Sequence, residues 1–325
     1  MKNSIAKKSL DILVSYGGYI AFVVMVLVFF INKPTIFFTP NNILNIIVQS
    51  SVLGIVSCGM TVILIGGGTH VIKGGIDLSL ANNLALGATV TALLIQKGFS
   101  FFAAFGISFL ISLLIGVINA IAVVKLKVAP LLVTLSMMYV LNGISISISN
   151  NSVVSVTHPI LQGIANGRFL GMPIIVWFFI VIFIVLYIAM NKTSFGNRAY
   201  ATGGNKAAAI AAGINADKIV MLTYIIAAAT ASISGLLSDA RLTGSVPGMG
   251  DTMFLDVMLI AYMSAIFSKK AVPNITGALI SSLFVGMISN GFTLMNVPSY
   301  WIYAIKGVLI LISVSLTSFR ARRSN

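Results

Sequence analysis

The strongest constraint on this chain is the recurrence of apolar runs long enough to cross a lipid bilayer. Crossing ~30 Å of hydrocarbon takes ~20 apolar residues in a helix, within a range of roughly 17 to 25. Runs of that kind lie near 12–31, 42–66, 78–96, 101–124, 130–149, 172–190, 218–239, 253–267, 273–294 and 299–317. The third is polar at one end and the eighth is short. Only 8% of the residues are charged and 58% are hydrophobic, against roughly a quarter charged in soluble domains. A water-soluble globule of this size could not hide so much apolar surface, because much of any globule faces water. The expectation is an all-α, polytopic transmembrane helical bundle of about ten spans. It forms a single domain over 1–325, membrane-spanning from 12 to 317, with one polar segment at 191–217.

Charge placement orients the bundle. With the N-terminus inside and ten alternating spans, fifteen Lys and Arg residues fall on the cytoplasmic side. Only Lys33, Lys97, Arg168 and Arg241 fall outside, and Lys306 lies within the last span. Such a bias is the signature of an N-in, C-in topology. The net charge of +14 is therefore a topology signal, and no nucleic-acid partner is expected. Trp177 and Trp301 fall near the outer ends of their spans, where indole rings favour the interface. Lys2, Lys7 and Lys8 precede the first apolar run as in a signal peptide, but Lys33-Pro34-Thr35 follows in place of a cleavage site, so that run reads as an uncleaved span. All six acidic residues are Asp, too few for a nucleotide-hydrolysing or metal-binding domain. The single cysteine, Cys58, excludes an internal disulfide and reads as a buried, inert thiol.

Two polar regions interrupt the apolar pattern. The first runs GGGTHVIKGGIDLS from Gly66 to Ser79. Consecutive glycines loosen a helix, and non-helical backbone at membrane depth must line a cavity or be buried in protein. Asp77 and Ser79, with Asn82 and Asn83 a turn on, can satisfy freed backbone amides. Gly74, Gly75, Asp77, Ser79 and Asn83 are thus candidates for the translocation path or its inner gate, and Asp77 equally for capping the next helix. The second region is NKTSFGNRAYATGGNKAAAIAAGINAD, from Asn191 to Asp217. Asn205 is a good N-cap, Lys206 to Ala212 are nearly all strong helix formers, and Gly213 suits the left-handed C-cap. The spacing predicts a short cytoplasmic helix whose small side chains let another protein approach its backbone. An internal echo links the stretch from Gly74 with the one from Lys269, each ending in Gly; transporters often contain such internal repeats.

The second segment resembles the cytoplasmic coupling segment of bacterial ABC importer permeases of the ribose and galactose class. Thr193, Gly196, Ala201, Gly203, Asn205, Ala208, Ala209, Gly213 and Ile214 match that pattern, with the basic residue displaced by one to Arg198. Tyr224, Ser234-Gly235-Leu236-Leu237 and Arg241 are similar to the family as well. So is Gly59-Met60-Thr61 leading to Gly74-Gly75-Ile76-Asp77-Leu78-Ser79. The similarity extends from about Asn42 to Leu316. Two departures stand out: GGGTHVIK precedes GGIDLS, and Ala265 to Lys270 replace a later glycine-rich loop.

The resemblance implies a bacterial inner-membrane permease importing a small sugar-like solute. It would pair with a second permease subunit, identical or a sister chain, and receive solute from an extracytoplasmic binding protein. Gly196, Arg198, Gly203, Asn205, Ala208, Ala209 and Gly213 would dock on a cytoplasmic ABC ATPase. The chain has no P-loop, so ATP and Mg would be bound by that partner, with no cofactor, metal or catalytic residue here. Alternatives are an ABC permease for branched amino acids or another small polar solute, and an ion-coupled secondary transporter using His70 and Asp77 as a relay. No motif of an intramembrane enzyme is present. Asp239 and Asp256 fall at the outer ends of their spans, where solvent accounts for them. Lys306, inside the last span, must snorkel or meet a partner.

Overall fold

The computed structural model describes residues 18–69, 74–268 and 271–324, with side chains as far as 315. His70, Lys73, Lys269 and Lys270 lie outside the described residues, as does the start of the first predicted span. The architecture is a helical bundle. In chain order its longer helices are α1 (Gly18–Asn32), α2 (Pro40–Gly67), α3 (Leu80–Gln96), α4 (Phe101–Val124) and α5 (Pro130–Ile148). The short α6 (Pro159–Asn166) and then α7 (Ile174–Asn191) follow. Next come α8 (Ser194–Gly204), α9 (Lys206–Ala211), α10 (Ala216–Leu242), α11 (Met249–Met263), α12 (Ile275–Leu294) and α13 (Ser299–Ser324). Each predicted span coincides with a helix to within a few residues. Six of them, α2, α4, α5, α7, α10 and α12, are both long and apolar enough to cross a membrane.

Local sequence sets the helix starts. Thr39, Ser100, Asn215 and Asn274 each accept a hydrogen bond from a backbone N–H in the first turn of α2, α4, α10 and α12, and Pro130 opens α5, as N-caps and N1 prolines should. Packing then decides what lies at the centre. α10 is rich in small residues and packs along α2, α3 and α4. Gly235 comes so close to α3 that a Cβ there would sit 2.6 Å from the Leu84 carbonyl oxygen. Without a hydrophobic drive between helices in lipid, such small-residue contacts are what bring backbones together. The outer faces of α4, α5 and α7 instead present Leu110, Leu114, Val140, Val181 and Val185 to the surroundings. Cys58 is fully buried, as expected.

Two small antiparallel ribbons close the end of the bundle away from α8 and α9. β1 (Val154–Ser155) pairs with β4 (Gly244–Ser245), with Val154 opposite Ser245. β2 (Arg168–Phe169) pairs with β3 (Met172–Pro173). The first ribbon changes the expected path of the chain. After β4 the backbone turns down beside α3, where Ser245 Oγ lies 2.8 Å from Thr89 Oγ1. α11 then starts next to Asn82, whose side chain crowds Gly250. At ~1.5 Å per residue its 15 residues reach only ~22 Å, short of the hydrocarbon thickness. The eighth predicted span is a helix that begins inside the bundle.

Both acidic residues assigned to solvent are buried instead. Asp256 on α11 pairs with Lys306 on α13 at 2.6 Å, their side chains 10% and 6% exposed. Lys306 therefore meets a partner and does not snorkel. Asp239 is fully buried near the end of α10, and neither carboxyl oxygen has a hydrogen-bond partner among the described residues. The cause is the same for that end of α10: β4 and α6 pack over it and keep water away. Removing one member of a buried pair strands the other charge, at roughly 3–5 kcal/mol. Lys306→Met should lower the unfolding midpoint in detergent markedly, and the Asp256→Leu/Lys306→Met double variant should recover most of the loss. Equal midpoints for wild type and Lys306→Met would show that the pair carries no stability.

Candidate functional site

The two polar regions singled out in the sequence meet at one end of the bundle. α2 ends at Gly67, and Gly68 takes a left-handed φ of 83°. The Gly75 N–H donates to the Gly68 carbonyl at 2.8 Å, folding the returning chain back onto the end of α2. Gly75 lies so close to the Ile63 carbonyl that no Cβ fits. From the other side, Gly203 in the last turn of α8 is pressed against the Ile65 carbonyl and Gly68, again with no room for a side chain. Backbone therefore touches backbone at both contacts. This is the close approach that only glycine permits.

Beyond Gly75 the chain stays non-helical and buried until α3 begins. Its polar groups are satisfied internally. Asp77 Oδ1 accepts from the Ser79 N–H at 2.9 Å and from the Ser79 hydroxyl at 2.6 Å. Asn119 of α4 donates its amide to Asp77 Oδ2 at 3.3 Å and to Ser79 Oγ at 2.9 Å. The Tyr224 hydroxyl of α10 donates to the Ile76 carbonyl at 3.0 Å. The Ser79 N–H, the Ser79 hydroxyl and the Asn119 amide all treat Asp77 as an acceptor, the role of a carboxylate. Asp77 thus makes a turn with Ser79 ahead of the helix and ties that turn to α4.

Gly74 and Gly75 line a cavity of about 960 Å³, walled also by Gly203, Lys206, Ile210 and Asp217 of the second polar region. Of the candidate gate residues, these two reach the cavity. Asp77 and Ser79 sit behind it, at 4% and 0% exposure. Asn83 is apart from them, donating to the Ser112 carbonyl at 3.2 Å.

The 191–217 segment contains two helices where one was expected. Asn205 caps α9, accepting from the Ala208 N–H at 3.0 Å. The helix ends one residue early, at Ala211, with Gly213 left-handed at φ 80°. The additional α8 has Gly, Thr and Asn in it, which are poor helix formers; packing holds it. Its buried face is Gly196, Ala199 and Thr202, with Gly196 against the Met190 carbonyl. Arg198 and Ala208 are exposed. Ala209, by contrast, is buried against the chain itself at 4% exposure. Ile210 was not singled out in the sequence, yet it stands 55% exposed on the α9 surface. An apolar residue amid alanines gives no signal until the helix's faces are known. Lys206 and Asp217 form an exposed pair at 2.9 Å, of a kind that adds little stability.

A bundle with an internal non-helical loop braced by polar side chains, joined by glycines to a short helical pair outside the spans, is the arrangement of a transport permease. The family described as "branched-chain amino acid transport system / permease component" matches residues 42–314, and the chain belongs to it. It is a non-catalytic, multi-pass inner-membrane subunit of an ABC transporter. Among its relatives are two ribose import permease proteins. That of Bacillus subtilis (strain 168) is 30% identical over 92% of this chain and 91% of its own. That of Escherichia coli (strain K12) is 31% identical over 93% of each. The D-allose transport system permease protein of Escherichia coli (strain K12) is 31% identical over 93% of this chain and 90% of its own. No solved structure matches the chain.

If Asp77 braces the loop, its loss should be felt as stability. Hydrogen bonds to a charged group contribute roughly 1.5–3 kcal/mol each. Asp77→Leu should lower the detergent unfolding midpoint by the equivalent of roughly 3 kcal/mol or more, and Asp77→Asn by less. An unchanged midpoint in Asp77→Leu would show that the carboxylate is incidental.

Proposed function

We propose that this chain is the permease subunit of an ATP-driven importer for a monosaccharide. Ten segments traverse the membrane with both termini inside, in keeping with the basic-residue bias, the eighth doing so as the non-helical chain after β4 together with the short α11. α8 and α9 then face the cytoplasm and dock on an ABC ATPase, which binds ATP and Mg. A second permease subunit completes the pore, and an extracytoplasmic binding protein delivers solute to the opposite end.

The observation that carries this reading is the Gly203 contact with the end of α2. A movement imposed on α8 and α9 from outside cannot be absorbed by side chains there, because none lie between the backbones. It reaches Gly68 and Gly75 directly, and through them the loop braced by Asp77. Gly196, Gly203, Asn205 and Gly213 shape the coupling helices, and Arg198, Ala208 and Ile210 offer the surface. Gly74 and Gly75 form the mobile wall of the inner gate, with Asp77, Ser79 and Asn83 supporting it. A relay through Asp77 in a secondary transporter fits less well, since its oxygens are engaged by Ser79 and Asn119. Relatives named for ribose and allose support a sugar over a branched amino acid.

The test is a charge on the docking surface. Ala208 is exposed in the free chain, so Ala208→Glu costs the permease no packing, whereas Ala209→Glu would. At the interface an unpaired buried charge costs roughly 3 kcal/mol or more, about a hundredfold in affinity. Ala208→Glu should abolish uptake and ATPase co-purification while membrane level and detergent stability stay at wild type. Normal transport with the ATPase still bound would make the segment an ordinary loop.

A further inference from the structure

Asp251 is the third residue of α11, where an acidic side chain ordinarily complements the helix's own free amides. Its carboxylate does something else. Oδ1 accepts from the Asn82 amide of α3 at 3.0 Å, and Oδ2 accepts from the Asn142 amide of α5 at 2.9 Å. Asn82 also donates to the Met138 carbonyl of α5 at 3.4 Å. α5 gives the depth. It is long and apolar enough to cross a membrane, and at ~1.5 Å per residue Met138 and Asn142 lie ~12 and ~18 Å along its ~28 Å. The carboxylate is therefore beside the middle of a spanning helix.

Asp251 is nonetheless exposed, as is Thr252 beside it. A carboxylate at that depth cannot face lipid, because an acidic side chain near the bilayer centre costs ~2.5–3.5 kcal/mol even on the most lenient scale. It must face water. Two amides occupy two of the carboxylate's roughly four acceptor positions, leaving the remainder directed away from the protein. Thr252 also lines a cavity of about 230 Å³ whose walls include Arg241, Asp256, Tyr303 and Lys306, so the first turn of α11 carries polar groups on two faces. Asn82 is buried at 2% exposure, and its Oδ1 has no partner among the described residues.

We propose that Asp251 lines the translocation path at mid-depth and accepts hydrogen bonds from hydroxyl groups of the passing solute, with Asn82 and Asn142 as positioning residues. This rests on the monosaccharide reading above. An acceptor-only group suits a neutral polyhydroxylated solute and repels anionic ones, so sugar acids and sugar phosphates are excluded by charge. The short α11 follows from the same role: starting the helix inside the bundle places its first turn where solute passes.

The experiment uses the complete transporter in proteoliposomes, in a Cys58→Ser background. Thiols react with water-soluble thiosulfonates as thiolates, which form in water and not in lipid. Asp251→Cys should label at least tenfold faster than Leu110→Cys, which stands on the apolar outer face of α4 at 66% exposure. Asp251→Asn should raise the KM for the transported sugar, ribose or allose, about tenfold while kcat and the unfolding midpoint hold. Equal labelling rates would overturn the path assignment. Fast labelling with an unchanged KM would overturn the contact with solute. If the wild type takes up neither sugar, the monosaccharide reading fails, and the labelling contrast still decides whether Asp251 lines the path.

Discussion

Backbone that leaves a helix inside a membrane bundle must find every hydrogen bond from protein, because lipid offers none. The described stretch from Gly74 to Ser79 lives under that rule, and the rest of the site is arranged to meet it. Gly68 and Gly75 bond to each other, Tyr224 takes the Ile76 carbonyl, and Asp77 gathers Ser79 and Asn119. These partners come from α4 and α10 as well as from the loop itself. The loop is thereby fixed to the centre of the bundle at one end and left on a cavity wall at the other. A segment so held can rest in two positions only if something outside the bundle shifts its glycine end.

In the proposed coupling that outside element is the α8–α9 pair. Its inner face is made of Gly196, Ala199, Thr202 and Gly203, small enough for α8 to lie directly on α2. Its outer face keeps Arg198, Ala208 and Ile210 free. The division explains why so short a segment is glycine- and alanine-rich throughout. Under that proposal small residues inward would transmit displacement, and small residues outward would admit a partner. The buried Asp256–Lys306 pair works within the bundle. There it ties α11 to α13 where a helix shorter than the bilayer would otherwise have few anchors.

Much of this was legible in the sequence. Apolar runs located the long helices to within a few residues for most of the chain, since hydrocarbon thickness leaves little freedom in their length, although α11 is shifted by four residues and α13 runs on to Ser324. Asn205 and Gly213 marked α9 because capping chemistry is local. What depends on chain crossings was not legible. α8 is a helix against its composition, because Met190 and Ile65 supply the packing. Asp239 and Asp256 fall near the ends of their predicted spans and read as solvated, but β4 and α6 cover that end of α10, and Asp256 lies in the middle of α11 where α13 meets it. Asp251 falls between the seventh and eighth apolar runs, and only the turn at β4 carries it down to Asn82 and Asn142. The family resemblance singled out the 191–217 segment and the glycine loop, yet nothing in it said that Gly203 touches Gly68.

That contact is the central claim, and hydrogen exchange of the assembled transporter tests it most directly. Amides of 74–79 and of 201–206 should change protection together when the partner ATPase binds a non-hydrolysable ATP analogue. In Gly203→Ala the added methyl has no place against the Ile65 carbonyl and must separate α8 from α2. The response at 201–206 should then persist while that at 74–79 disappears, with the ATPase still bound and uptake lost. Wild-type uptake by Gly203→Ala, with both segments still responding together, would contradict the account.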